Sequence, residues 1–229
     1  MNCSFLNSTV GKKVLVSLTG VILFGFVVLH MLGNLKAFMG VDTLSGQHHL
    51  DEYAHFLRVM GAPMVPENGL LWLTRIVLLL TLLVHVILVV QLRARNSAAR
   101  PVGYKMQKSG AGAYAAYSMF WGGLFLFAFI VYHLLHFTTG HLHPSFVPGA
   151  VFANVSSAFK IPWVTGIYVL AMIALGLHLF HGLWSLFQTL GIDNPERNQC
   201  LRRSAQAFSF VVAVGFVSVP LCIFLGCLK

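Results

Sequence analysis

The chain has 229 residues, of which 57% are hydrophobic and only 9% charged, with a net charge of +9. So small a charged fraction, against roughly 25% in soluble globular domains, excludes an ordinary water-soluble protein. The positive balance does not point to nucleic acid, because the Lys and Arg residues sit in short connectors between apolar runs, where membrane topology accounts for them.

A hydrocarbon core of roughly 30 Å needs about 20 helical apolar residues. Five runs of that length occur, at about 14–37, 70–92, 116–139, 163–190 and 207–228, and none contains Asp or Glu. The expected fold is therefore all-α: a transmembrane bundle of five helices forming a single integral membrane domain over 1–229. Lys12 and Lys13 before the first run imitate a signal peptide. The run is too long for one and has no small-residue cleavage site, so it reads as a retained first span.

Between the first two spans, the segment TLSGQHHLDEYAHFLRVMG places Leu44, Leu50, Phe56 and Leu57 where they could line a short helix on the outer membrane surface. The connector 93–113 holds Arg93, Arg95, Arg100, Lys105 and Lys108 with Pro101. The fourth run is long enough to tilt or project. After it come Asp193, Asn194, Pro195, Glu196, Arg197, Arg202 and Arg203. Pro220 is expected to kink the last helix or end its regular part. With the N-terminus and these two connectors on one side, that side carries 10 of the 15 Lys and Arg; Lys36, Arg58, Arg75, Lys160 and Lys229 lie on the other. The positive-inside rule then puts the N-terminus in the cytoplasm and the C-terminus outside.

Cys3, Cys200, Cys222 and Cys227 form no C-x-x-C and no C-x-x-C-H, which removes the usual zinc, thioredoxin-like and covalent-haem signatures. Cys222 and Cys227 read as packing residues of the last span. Trp121, Trp163 and Trp184 read as belt and packing residues.

Four spans carry a histidine deep in the run: His30, His85, His133 and His178. An imidazole in lipid is costly without a partner, so each is a candidate functional residue. Spans one and three run outward, with His30 about 16 and His133 about 17 residues in. Spans two and four run inward, with His85 and His178 each about 15 residues from their outer ends. At 1.5 Å per residue the first couple meets in the outer half of the membrane and the second in the inner half. Two imidazoles can fill both axial positions of a low-spin haem that only passes electrons, so the pattern points to two non-covalent haems. The second nitrogen of each ring then needs an acceptor, for which a carbonyl one turn back on the same helix would serve. Gly33 and Gly182 would leave room for a flat macrocycle. His136 and His181 each lie one turn from a chosen ligand, and spacing alone does not separate them. His48, His49, His55, His141 and His143 fall in outer loops and read as solvated or interfacial.

The stretch HLFHGLWSLFQTLGI (178–192), with VVLHMLGN around His30 and VYHLLHF around His133, resembles the single-subunit cytochrome b anchor of succinate dehydrogenases and fumarate reductases, the respiratory complex II type. It is most similar to the five-helix, two-haem form that works with menaquinone. The resemblance implies two haem b groups, one held by His30 and His133 and the other by His85 and His178, with His136 and His181 as second choices. It further implies a flavoprotein subunit carrying FAD and an iron–sulfur subunit, both on the cytoplasmic side, a multi-pass place in the cell inner (cytoplasmic) membrane, and a role linked to the tricarboxylic acid cycle. A higher oligomer of the whole complex is compatible with it. Neither a Gly-rich dinucleotide fingerprint nor a cysteine cluster occurs in this chain, as expected if FAD and the clusters belong to partners.

Relatives that exchange protons on the outer side resemble one another in an acidic residue after the first span. Glu52, with Asp51 beside it, takes that place here. Some fumarate-reducing relatives have a glutamate two residues before the fourth-span ligand, where this chain has Gly176. That departure argues against proton return through this position and leans towards succinate oxidation. Rival readings are the cytochrome b anchor of another quinone-linked dehydrogenase, such as a hydrogenase or formate dehydrogenase, and a histidine-lined transporter.

Overall fold

The computed structural model describes residues 7–99 and 111–228, with only the helical backbone for 111–117. Cys3, Arg100, Pro101, Lys105, Lys108 and Lys229 lie outside the described residues. Seven α-helices follow in chain order: α1 Thr9–Leu35, α2 His49–Val59, α3 Gly69–Ala98, α4 Ala111–His133, α5 Val151–Phe159, α6 Pro162–Thr189 and α7 Asn198–Phe224. Ser8 caps α1 by accepting from the Gly11 N–H at 2.9 Å. Pro162 opens α6 at a first-turn position, where its missing N–H costs nothing. A 3₁₀ turn, Lys36–Met39, extends α1, and a π turn, Leu134–Thr138, extends α4.

The fold is the expected all-α bundle. Five helices are long and apolar enough to cross a membrane: Thr9–Met39, Gly69–Ala98, Ser118–Thr138, Pro162–Thr189 and Asn198–Phe224. Large apolar side chains such as Leu18, Leu29, Leu79 and Phe210 remain exposed on their outer faces, as lipid-facing residues do. Helices α3 and α7 extend past their apolar runs into Arg-rich ends, because arginine and glutamine favour helix and hydropathy marks only the part matched to lipid. Helix α7 also continues four residues beyond Pro220, which does not end it. Helix α5 was not expected, since nine residues carry too little periodicity to stand out. Leu44 lies in the turn before α2, 97% exposed, so it does not belong to that helix's apolar face; Leu50 alone of the four expected residues is buried.

Neighbouring helices run antiparallel. Lys12 of α1 reaches Gln91 of α3, and Thr19 of α1 reaches His85 of α3. Helices α6 and α7 come closest at Gly176, where a Cβ would sit 3.0 Å from the Ala213 Cβ and 3.6 Å from the Ser209 carbonyl oxygen. A side chain at 176 would press on the Ala213 methyl, which would have to give by a few tenths of an ångström. Helix α1 packs on α3, α6 and α7, and α4 packs on α6. Among the described residues, neither α1 with α4 nor α3 with α6 is a closely packed pair. At the end of the bundle that carries α2 and α5, Ala37, Leu50, Phe159, Val164, Tyr168 and Ile223 form one cluster that fastens these two helices to it.

Candidate site: histidines at two levels of the bundle

One histidine couple faces across two helices, α1 and α4, that are not among the closely packed pairs of the described residues. His30 of α1 and His133 of α4 have ring centroids 5.9 Å apart and nearly perpendicular planes, at 78°. Two imidazole nitrogens about 2 Å from one metal ion, on opposite sides of it, place ring centroids roughly 6 Å apart. Phe26 stacks on His30 at 5.4 Å, Phe216 of α7 lies 5.7 Å from it, and Phe129 lies 6.0 Å from His133. The walls of this level are thus aromatic and dry.

At the second level, His85 of α3 leans on α1 and His178 of α6 leans on α4. A Cβ added at Gly20 would lie 3.6 Å from His85 Cε1, and one added at Gly123 would lie 3.1 Å from His178 Cε1. His178 Nδ1 is buried without a hydrogen-bond partner, beside the Met119 backbone. A narrow cavity lined by Ser118, Met119, Gly122, Ala174, Leu177 and His181 adjoins this ring.

The spacing of the levels is set three times over. Gly20 and His30 on α1, Gly123 and His133 on α4, and Tyr168 and His178 on α6 are each ten residues apart. At 1.5 Å per residue the levels are separated by about 15 Å along the helix axes.

The glycines singled out from sequence divide differently. Gly33 faces Tyr53 of α2, whose Cε1 would lie 2.6 Å from an added Cβ, so this gap seats a tyrosine. Nothing lies within 4 Å of an added Cβ at Gly182. Gly20 and Gly123, which no sequence pattern marks, are the glycines that face candidate ligands. The nitrogen partners differ too. His85 Nδ1 lies 3.0 Å from Thr19 Oγ1 on α1, and His133 Nδ1 lies 3.3 Å from the Tyr168 hydroxyl on α6. Hydroxyls of other helices, not a carbonyl of the same helix, meet these rings.

His136 is 1% exposed; its Nδ1 lies 3.0 Å from the same Tyr168 hydroxyl, and its ring stacks on His143 at 5.0 Å. The π turn brings it there, as such turns often do at functional positions. His143 is buried rather than solvated: Nε2 donates to the Asn154 carbonyl at 2.9 Å, and Nδ1 accepts from the Ser145 N–H at 3.2 Å. His48 is likewise buried, stacked on Phe152 at 3.6 Å, with Nδ1 capping α2 through the Leu50 N–H. Burial pushes His48 below the ordinary imidazole value, which keeps the ring a neutral acceptor. His55 and His141 are exposed, as expected from the sequence. His181 packs on Phe180 and lies near Arg202, which covers the Trp184 ring at 4.6 Å.

Of the two outer carboxylates, only Glu52 faces an open cleft, lined by Lys36, His49, Tyr53 and Phe56. It accepts from the Ser45 hydroxyl, and its Oε2 lies 3.1 Å from His49 Nδ1. Donor atoms of Asp42, His49 and Glu52 all fall within 4.8 Å of one another. Backbone N–H groups of Ser45 and Leu44 hold the Asp42 carboxyl below the usual carboxylate range. Asp51 instead turns to α5, accepting from the Phe152 N–H at 2.9 Å. It caps a helix a hundred residues further along the chain. Asp51→Ala is expected to cost about 1 kcal/mol of stability, read as a lower thermal midpoint, with Asp51→Asn close to wild type. Equal midpoints for the two variants would contradict the capping role.

Comparison with family models, with characterised proteins and with solved structures finds no match for the chain. The geometry of the site is therefore the ground for a functional reading.

Proposed function

We propose that the chain is the two-haem cytochrome b membrane subunit of a succinate dehydrogenase or fumarate reductase that works with menaquinone. The observation that carries this reading is the His30–His133 couple, 5.9 Å apart across α1 and α4, with His85 and His178 facing Gly20 and Gly123 ten residues further along the same two helices. His30 and His133 would hold one haem b and His85 and His178 the other, with His136 and His181 as neighbours. Bound there, the two haems would supply one-electron carriers stacked through the lipid.

The residues of the chain do the rest. Phe26, Phe129 and Phe216 exclude water from the outer couple. Gly20 and Gly123 let the inner imidazoles settle against neighbouring backbones. In the outer cleft, Glu52 would take a proton from the quinol hydroxyl and pass it along its contact with His49 Nδ1. Tyr53, a wall of that cleft, packs on Gly33 one turn from His30, so the cleft adjoins the outer level. Gly176 lies tight against α7, where an added Cβ would sit 3.0 Å from the Ala213 Cβ.

At the other end, Arg93 covers Phe120 at 4.5 Å, and Arg95 donates to the Asn7 carbonyl at 2.6 Å. With Arg202 they make a basic face, which we assign to the cytoplasmic side. There it would receive the iron–sulfur and flavoprotein subunits, with the C-terminus outside the cell. A reduced-minus-oxidised optical spectrum tests the reading. The purified protein should show b-type bands with two haems per polypeptide and copurify with FAD. A preparation without a b-type band would overturn it.

A further inference from the structure

The contacts around Thr19 bear on the state of His85. Thr19 Oγ1 lies 2.8 Å from the Leu15 carbonyl oxygen and 3.0 Å from that of Val16. With its single proton given to one of these carbonyls, the hydroxyl oxygen, 3.0 Å from His85 Nδ1, accepts from that ring. In that arrangement Nδ1 carries the ring proton, and Nε2 keeps its lone pair.

A parallel device operates at the outer level. The Tyr168 hydroxyl has one proton and two imidazole neighbours, His136 Nδ1 at 3.0 Å and His133 Nδ1 at 3.3 Å. It can donate to only one of them. Donation to His136, the shorter contact, leaves the oxygen to accept from His133 Nδ1–H, and again Nε2 of the deeper ring is left with its lone pair. Tyr168 is itself 6% exposed and held by Phe129 and Phe159, each at 5.0 Å, so its hydroxyl is fixed in position.

We infer that Thr19 and Tyr168 are positioning residues that lock the tautomer and ring orientation of His85 and His133, one axial ligand at each level, through hydroxyls supplied by a different helix. The inference rests on the haem reading above and adds to it an asymmetry. His85 and His133 are preset before any metal arrives, whereas His178 has a bare Nδ1. Outer partners of metal-bound imidazoles raise ligand basicity, and losing one typically weakens metal binding about 10- to 100-fold.

The test is a set of full-length variants in the purified complex, read by redox titration of each haem, low-temperature EPR and haem retention against apomyoglobin. Thr19→Val keeps shape and removes the hydroxyl. It should raise the midpoint potential of the inner haem, because a less electron-rich imidazole stabilises the ferric state less, and should weaken retention of that haem by about tenfold or more. The outer haem should be untouched. Thr19→Ser restores the hydroxyl and should restore the wild-type values. Tyr168→Phe should shift the outer haem alone.

Wild type lacking b-type haem would sink the parent reading. Wild type with two haems whose potentials and retention are unmoved by Thr19→Val and Tyr168→Phe would sink this inference and leave the parent standing. If Thr19→Ser behaves like Thr19→Val, the hydroxyl is not the agent and the inference also fails. Should Thr19→Val not accumulate, Thr19→Ala reads the same loss against the same Ser control.

Discussion

His30→Ala and His133→Ala are expected to remove one and the same haem, and His85→Ala and His178→Ala the other, each dropping the count from two to one per polypeptide. The expectation follows from helix geometry. His30 and His133 face each other at 5.9 Å across helices that are not closely packed, and Gly20 of α1 and Gly123 of α4, which face the inner rings, lie ten residues away. No side chain at one level can reach the other over about 15 Å. Alanine takes away one of the two imidazoles that would hold the group, and Phe26 and Phe216 beside His30 offer no polar atom to replace it. EPR of the single-haem variants checks the pairing: His30→Ala and His133→Ala should lose the same low-spin signal. Loss of one shared signal in His30→Ala and His178→Ala would break it. His136→Ala should keep both haems, since its Nδ1 faces Tyr168 and its ring stacks on His143.

Glu52→Gln should slow quinone turnover on the order of 100-fold, the lower range for losing a general base, with both haems in place. Glutamine keeps the size of the side chain and its contact with the Ser45 hydroxyl, but it cannot take up a proton. Asp51 provides the internal control. Its carboxylate caps α5 and does not line the cleft, so Asp51→Asn should leave turnover near wild type. Steady-state oxidation of a menaquinol analogue measures both. Unchanged turnover in Glu52→Gln removes this carboxylate from the mechanism.

The bundle and the four deep histidines were legible because lipid imposes length and forbids stray polarity. An apolar run of about twenty residues or more fits little besides a membrane span, and an imidazole inside one stands out. Thr19 and Tyr168 were not legible, because threonine and tyrosine are ordinary in membrane helices and only proximity to another helix gives them a task. His48 and His143 looked like loop residues, yet stacking on Phe152 and bonding to the Asn154 carbonyl bury them. Sequence spacing also favoured Gly33 over Gly20 and Gly123, since nearness along the chain suggested Gly33. A glycine serves whichever side chain the neighbouring helix presents, and that depends on rotation about the helix axis. The π turn at Leu134–Thr138 is a rotation of this kind, and no pattern of apolar residues announces it.

The decade interval repeated on α1, α4 and α6 makes these three rods a shared ruler. One added or deleted residue between Gly20 and His30 would swing one mark about 100° from the other, while its two companion rods kept the old graduation. Length in that stretch is therefore less free than composition: many apolar side chains can stand between the marks, but the interval has to match on every rod.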